Sequence, residues 1–134
     1  MEFDLIPPGT RVEANGESEK VDISGSRTRT FLCTLVITDQ IEQESLDVSI
    51  WGSVDGEIWD RKPILKLPQQ FYCGKTRMVL DLTLRPEVKF IRAKWELVRW
   101  GRVAPLPMFV IGLHLAEVEA MSRAALPGKV AVGQ

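Results

Sequence analysis

The pattern of the chain is clearest over residues 30–38, which read Thr-Phe-Leu-Cys-Thr-Leu-Val-Ile-Thr. Alternate residues of this run form one apolar face: Phe31, Cys33, Leu35 and Ile37. A period of two residues is the side-chain period of a β-strand, and β-branched and aromatic residues favour a pleated backbone. The run therefore predicts a strand that buries one face.

The same alternation recurs in four more segments. Their apolar positions are Leu46, Val48 and Ile50; Met78, Leu80, Leu82 and Leu84; Ile91, Ala93, Trp95 and Leu97; and Phe109, Ile111, Leu113 and Leu115. Turn-forming pairs such as Asn15-Gly16, Asp55-Gly56 and Arg85-Pro86 separate the segments. Residues 10–14 and 20–24 fit short edge strands. We predict an all-β chain whose antiparallel sheets pack as a jelly-roll-like β-sandwich, with a closed barrel as the alternative.

One domain is expected, spanning residues 1–134, because that length suits a single core and the sequence contains no repeat or linker. Residues 116–125 are rich in Ala, Glu and Met and favour a short helix after the last strand. Residues 128–134 are expected to form a disordered tail.

Composition argues against several classes of partner. The chain has 17 basic and 18 acidic residues, so it lacks the basic excess of a nucleic-acid binder. No apolar run is long enough for a membrane span, and Glu2 and Asp4 give the wrong charge for a secretory signal. Cys33 and Cys73 both lie in apolar surroundings, which favours buried, reduced thiols over a disulfide between paired strands. We expect a cytoplasmic protein that binds neither nucleic acid nor membrane.

One segment carries a family resemblance. Residues 50–59 read Ile-Trp-Gly-Ser-Val-Asp-Gly-Glu-Ile-Trp, and the pattern Ser-x-Asp-Gly-x-x-Trp resembles a hairpin of discoidin-like, galactose-binding-like β-sandwich domains. Residues 90–93, Phe-Ile-Arg-Ala, are similar to the strand that follows this hairpin in those domains. The resemblance covers roughly residues 44–99. It implies a sandwich whose ligands bind at the loops of one end, and because those loops differ between members, it assigns no ligand residue here.

The hairpin residues also have a structural explanation. Asp55 and Gly56 suit a tight turn, since glycine tolerates positive φ and an aspartate can accept bonds from the backbone beyond it. Ser53 can satisfy turn backbone groups, and Trp59 is expected to fold its ring onto the sandwich edge. We assign Ser53, Asp55, Gly56 and Trp59 to a structural turn.

Catalytic and metal-binding patterns are weak. His114 is the only histidine; it is expected to face outward, and with two distant cysteines it gives no zinc spacing or catalytic triad. Asp55, Glu57 and Asp60 are carboxylates of the kind that hold calcium or hydrolyse glycosides, but they share one short turn where solvation is the expected state. We expect no enzyme activity, no metal and no cofactor.

The tryptophans give the best indication of function. All four lie between positions 51 and 100, and Trp95 belongs to a core-facing set. Trp51 and Trp100 are candidate binding residues, because an exposed indole suits a sugar ring or a protein partner; a second sheet or a neighbouring subunit covering them is the alternative. The apolar positions off the predicted core are Leu32, Val36, Trp51, Val98 and Trp100.

We therefore expect a non-catalytic binding or assembly module. The first interpretation is a structural subunit of a phage-like or prophage-like assembly that associates with itself or with another protein. A carbohydrate-binding module that takes a glycan is the alternative, and a small enzyme ranks last.

Overall fold

The computed structural model describes residues 1–101 and 107–119. These residues form nine strands and no helix. The strands are β1 (Glu2–Val12), β2 (Gly16–Glu17), β3 (Val21–Asp22), β4 (Thr30–Gln40), β5 (Glu44–Ser53), β6 (Leu65–Lys66), β7 (Gly74–Asp81), β8 (Phe90–Arg99) and β9 (Phe109–Glu117). Over these two ranges, no helix has the length and apolar character needed to cross a membrane.

The strands form two antiparallel sheets. Sheet I has the order β1-β9-β4-β7. In sheet II, β8 lies between β5 and the two short strands β2 and β3, and β6 pairs with the other edge of β5. With β2 and β3 counted as one edge, this is the strand order of a jelly roll. Each sheet keeps two edge strands in the described residues, so the predicted β-sandwich is confirmed and the closed barrel is not formed.

The core lies between the sheets and consists largely of the residues that the alternation predicted to be buried. From sheet I it takes Phe31, Cys33, Leu35 and Ile37 of β4, and Phe109, Ile111, Leu113 and Leu115 of β9. From sheet II it takes Leu46, Val48 and Ile50 of β5, and Ile91 and Ala93 of β8. Full burial of a leucine, isoleucine or phenylalanine side chain stabilises a fold by about 1.5–3 kcal/mol, so this interface is the main source of stability.

The predicted alternation of buried leucines ends at Leu82, just after β7. Leu80 and Leu82 are buried, but Leu84 is 91% exposed, so its prediction as a core residue is wrong. The Asp81 carboxylate accepts bonds from the backbone N–H and hydroxyl of Thr83, at 2.9 and 2.7 Å. This local turn ends the strand and directs Leu84 into solvent.

Strand β1 is longer than predicted. It runs over Pro7 and Pro8, and its register with β9 shifts twice, between Asp4 and Ile6 and between Ile6 and Thr10. Prolines are tolerated in a strand that lies at a sheet edge and is bulged. They interrupt the alternation in the sequence, so the strand predicted at residues 10–14 overlaps β1 only at residues 10–12.

The predicted C-terminal helix begins inside β9. Ala116 pairs with both Leu32 and Glu2, so residues 116 and 117 are strand, and the predicted helix start is wrong. Residues 120–125 of that helix and the predicted tail 128–134 lie outside the described residues.

The two cysteines differ in environment. Both are free; Cys33 is buried, as expected, whereas Cys73 is exposed, so the burial predicted for Cys73 is wrong. Cys73 directly precedes β7, at the edge of sheet I, where the apolar neighbours Phe71 and Tyr72 are themselves exposed. Burial raises the pKa of the Cys33 thiol to about 12.

Candidate functional site

The turn after β5 is held by its own side chains. The Ser53 hydroxyl accepts a hydrogen bond from the Gly56 N–H at 2.8 Å and donates to the Ile58 carbonyl at 2.6 Å. The Asp55 carboxylate accepts from the N–H groups of Ile58 and Glu57, which lowers its pKa. Gly56 has a φ of 80°, a conformation that favours glycine. The polar groups of Ser53 and Asp55 are thus occupied by the turn itself.

Trp59 packs against an arginine and stays half-buried. Its backbone bridges to Ser53, and the Arg92 guanidinium lies 4.1 Å from the centre of its ring. Arg92 also approaches Glu17, at 3.3 Å. The ring therefore contributes a cation–π contact with β8 of sheet II and is not part of the sandwich core.

The three carboxylates of this turn do not converge. Asp55 is engaged by backbone amides, Asp60 pairs with Arg85 at 3.0 Å, and Glu57 is exposed. Across the described residues, no group of three or more histidine, cysteine, aspartate or glutamate side chains is arranged to hold a metal ion. The turn thus offers no paired carboxylates for hydrolysis.

His114 joins two strands of sheet I. Its Nδ1 lies 2.8 Å from Asp4 Oδ1 and its Nε2 lies 2.7 Å from Glu2 Oε2. The hydrogen bond to Asp4, followed by that to Glu2, raises the pKa of the imidazole. Because carboxylates occupy both ring nitrogens, neither is available to activate a nucleophile. The arrangement ties β1 to β9.

Trp51 borders a groove on the outer face of sheet II. Its indole N–H donates to the Ser49 hydroxyl at 2.9 Å, and the Lys94 ammonium lies 4.3 Å from its ring centre. The groove has a volume of about 320 Å³, and Lys94 and Trp95 are among the residues that border it. The Trp95 side chain lies on the core-facing side of β8, where Gly16 of the neighbouring strand β2 leaves room for the indole. Trp51 is half-buried.

Trp100 belongs to an exposed cluster, the aromatic patch, made of Phe71, Tyr72, Val98 and Trp100. The Trp100 ring lies 6.3 Å from that of Phe71, which lies 6.4 Å from that of Tyr72. Tyr72 is 72% exposed, Trp100 56% and Val98 55%. Phe71 follows Gln70, whose backbone pairs with Leu46 of β5, and this pairing brings residues 71 and 72 beside the end of β8.

Leu32 and Val36, the other apolar residues off the core, lie on the outer face of sheet I. Both are half-buried. The cross-strand neighbours of Leu32 are Val79 and Ala116, and those of Val36 are Lys75 and Gly112. Of the five positions that the sequence analysis left unexplained, Val98 and Trp100 are therefore the exposed ones, and both are in the aromatic patch.

Sequence reasoning missed two partly buried contacts between a charged side chain and the backbone. The Arg29 guanidinium donates to the carbonyls of Val88 and Arg85, at 2.6 and 3.0 Å. The Glu117 carboxylate accepts from the N–H groups of Thr28 and Arg27, at 2.7 and 2.8 Å. Both contacts join residues far apart in the chain, and no local pattern marks them.

Comparison with known proteins adds no assignment. The chain matches no model of a known protein family, and no curated protein matches it significantly. The resemblance of residues 50–59 and 90–93 to discoidin-like domains remains a prediction.

Proposed function

We propose that this chain is a non-catalytic assembly module, a structural subunit of a larger phage-like or prophage-like particle. The observation that carries the proposal is the aromatic patch, in which three neighbouring aromatic rings are exposed, as is Val98, two residues before Trp100. Contiguous apolar surface of this kind usually marks a protein interface, and tryptophan and tyrosine are the residues that most often anchor one.

The jelly-roll architecture supports a phage-like particle. Jelly-roll sandwiches recur in viral capsid subunits, where they present side surfaces to neighbouring copies. Assemblies of this kind form where their subunits are made, and on that argument we place the protein in the cytoplasm. The partner is a second copy of the chain or another subunit of the particle.

The test is self-association measured by light scattering over a dilution series. We expect the wild type to associate, and Trp100→Ala to raise the dissociation constant at least about ten-fold, equivalent to roughly 1.4 kcal/mol. Trp51→Ala, which changes a tryptophan outside the patch, is the matched control and should associate like the wild type. A wild type that stays monomeric up to about 1 mM would contradict self-association.

The alternative function is a carbohydrate-binding module, and it rests on the groove beside Trp51. That groove combines the Trp51 indole with polar side chains, the composition of many small-molecule sites. We propose no catalytic role, because both nitrogens of His114 are occupied and the carboxylates of the hairpin turn point to different partners.

A further inference from the structure

We infer that copies of this chain join edge to edge, with β7 of one copy pairing antiparallel with the start of β1 of the next copy. Strands β1 and β7 are the two edge strands of sheet I in the described residues. The inference rests on the proposed assembly function and adds a second contact surface to it, because neither strand contains a residue of the aromatic patch.

The outer edge of β7 directs backbone groups away from the sheet. The Leu82 N–H donates to the Arg29 carbonyl at 2.8 Å, and residues of β7 that are two apart along the strand bond β4 in the same way. Because backbone groups alternate in direction along a strand, residues 75, 77 and 79 direct their N–H and C=O groups outward. In the part of the chain that the structure describes, no strand pairs with this edge. Such an edge is a template for a further strand.

The first residues of β1 form an edge of the same kind. The Glu117 N–H donates to the Met1 carbonyl at 2.8 Å, so residues 1 and 3 are the ones that bond β9. The backbone groups of Glu2 and Asp4 therefore point outward. The register with β9 shifts directly after Asp4, so the regular edge is limited to residues 1–4 and the contact is short.

The two edges carry opposite charge on the outer face of sheet I. Lys75 and Arg77 are exposed there, and within the described residues neither forms an ion pair. Glu2 and Asp4 lie at the other edge of the same face, where both contact His114. The imidazole supplies at most one positive charge against two carboxylates, so the β1 edge remains acidic.

One register brings both pairs of opposite charges together. When β7 runs antiparallel to β1 of the next copy, Lys75 can lie opposite Asp4 while Arg77 lies opposite Glu2. All four residues direct their backbone groups into the junction, and side chains directly opposite each other share a face of the sheet. Opposite charges at such positions stabilise strand pairing. A shift of two residues in either direction leaves only one of the two ion pairs.

The same charges disfavour the other edge pairings. Pairing of β7 with β7 brings the basic residues of two copies together, and pairing of β1 with β1 does the same for the acidic residues. Like charges at opposed positions destabilise a sheet, and lysine on an edge strand commonly protects that edge from pairing. The acidic edge is thus the matching partner of β7. A contact between two different edges is head-to-tail, so it builds an open chain or closes into a ring.

The first test is disulfide cross-linking in a Cys73→Ser, Trp100→Ala background, which removes the exposed thiol and the anchor of the aromatic patch. Opposed residues of an antiparallel pair have Cα atoms about 5.5 Å apart, within the range that a disulfide spans. We expect Asp4→Cys and Lys75→Cys proteins, mixed at about 100 µM and mildly oxidised, to form a mixed dimer. In the control, Val79→Cys replaces Lys75→Cys. Residue 79 lies on the same edge and face but about 13 Å along the strand, and should give less than about a tenth of that dimer.

The second test reverses charges in the Trp100→Ala background and measures association by light scattering. Arg77→Glu and Glu2→Arg should each weaken association at least about five-fold, because each variant opposes like charges at the junction. An equal mixture of the two proteins should associate as tightly as the parent, since every junction between unlike copies again opposes unlike charges. This rescue also shows that both variants are folded. Lys66→Glu, at an exposed lysine of β6 in sheet II, is the matched control and should associate like the parent.

Three results would overturn the inference: a mixed dimer no more abundant than in the Val79→Cys control, Lys75→Cys cross-linking to itself as readily, which would indicate a symmetric β7 contact, or a mixture of the charge variants that associates no more tightly than either alone. The edge contact is judged on positions 2, 4, 75 and 77 in proteins that carry Trp100→Ala, and the patch contact on Trp100 itself. Failure of one proposal is therefore distinguishable from failure of the other.

Discussion

At the scale of single residues, stability depends on polar side chains that bind backbone groups far away in the chain. Glu117, at the end of β9, is the clearest case. Its carboxylate accepts from the loop 26–28, through the Thr28 and Arg27 N–H groups and the Ser26 hydroxyl, and the Met1 amino group lies 3.2 Å from its other oxygen. Burial alone would raise its pKa, but these hydrogen bonds outweigh burial and lower the pKa to about 2.

We predict that Glu117→Gln destabilises the fold at neutral pH by about 2 kcal/mol, because charge-assisted hydrogen bonds are lost. The folded pKa lies below the value of 4.5 for a free glutamate, so the contribution is complete above about pH 4.5 and declines as the pH falls towards 2. Urea unfolding at pH 7 and pH 2.5 measures both points. Glu119→Gln, at a side chain that is 69% exposed, is the control and should change stability by less than about 0.5 kcal/mol. Equal losses at the two pH values would contradict this role of Glu117.

At the scale of elements, the bulged edge strand β1 lies close to β9. Gly112 lies where the backbones of β9 and β1 approach each other. A Cβ added to it would lie 2.8 Å from the Pro8 Cα, closer than side-chain contacts allow. A glycine inside a strand often marks such an approach of two backbones. The bulge at residues 6–10 therefore needs Gly112 on the neighbouring strand.

Gly112→Ala is predicted to destabilise the protein by about 2–3 kcal/mol, because the clash is with backbone and cannot be relieved by a side-chain rotation. The control is Gly25→Ala, whose added Cβ meets only the flexible end of Met1 at 3.5 Å. It should leave the thermal midpoint nearly unchanged. If both variants have the same thermal midpoint as the wild type, β1 does not pack on β9 as described.

The same elements show how far the sequence predicts the fold. Strands β4, β5, β8 and β9 were predicted because each buries one face, and burial imposes the alternation. Strand β1 was mostly missed, because Pro7 and Pro8 interrupt its alternation. Strand β7 was predicted to extend as far as Leu84, but it ends at Asp81, which forms a local turn. The aromatic patch was predicted only at Val98 and Trp100: the contact between Phe71 and Trp100 depends on the pairing of distant strands, which the sequence does not specify. The groove was missed for the same reason, since Asn15, Asp47 and Glu96 meet only in the folded sheet.

At the scale of the whole molecule, the sandwich has two different outer faces. On sheet I, the apolar residues Leu32 and Val36 are half-buried by their neighbours. On sheet II, β8 carries Lys94 and Glu96 at the groove and Val98 at the aromatic patch, and Trp100 of the patch directly follows β8. Sheet II is therefore the face on which we place association with a partner.

The most direct test of assembly through the aromatic patch is the concentration dependence of the indole N–H signals in the wild-type protein. On dilution from about 1 mM to 10 µM, the account predicts that the Trp100 signal shifts or sharpens as subunits separate, while the Trp51 signal stays in place. A Trp100 signal that is unchanged over this range, or a shift confined to Trp51, would contradict the account.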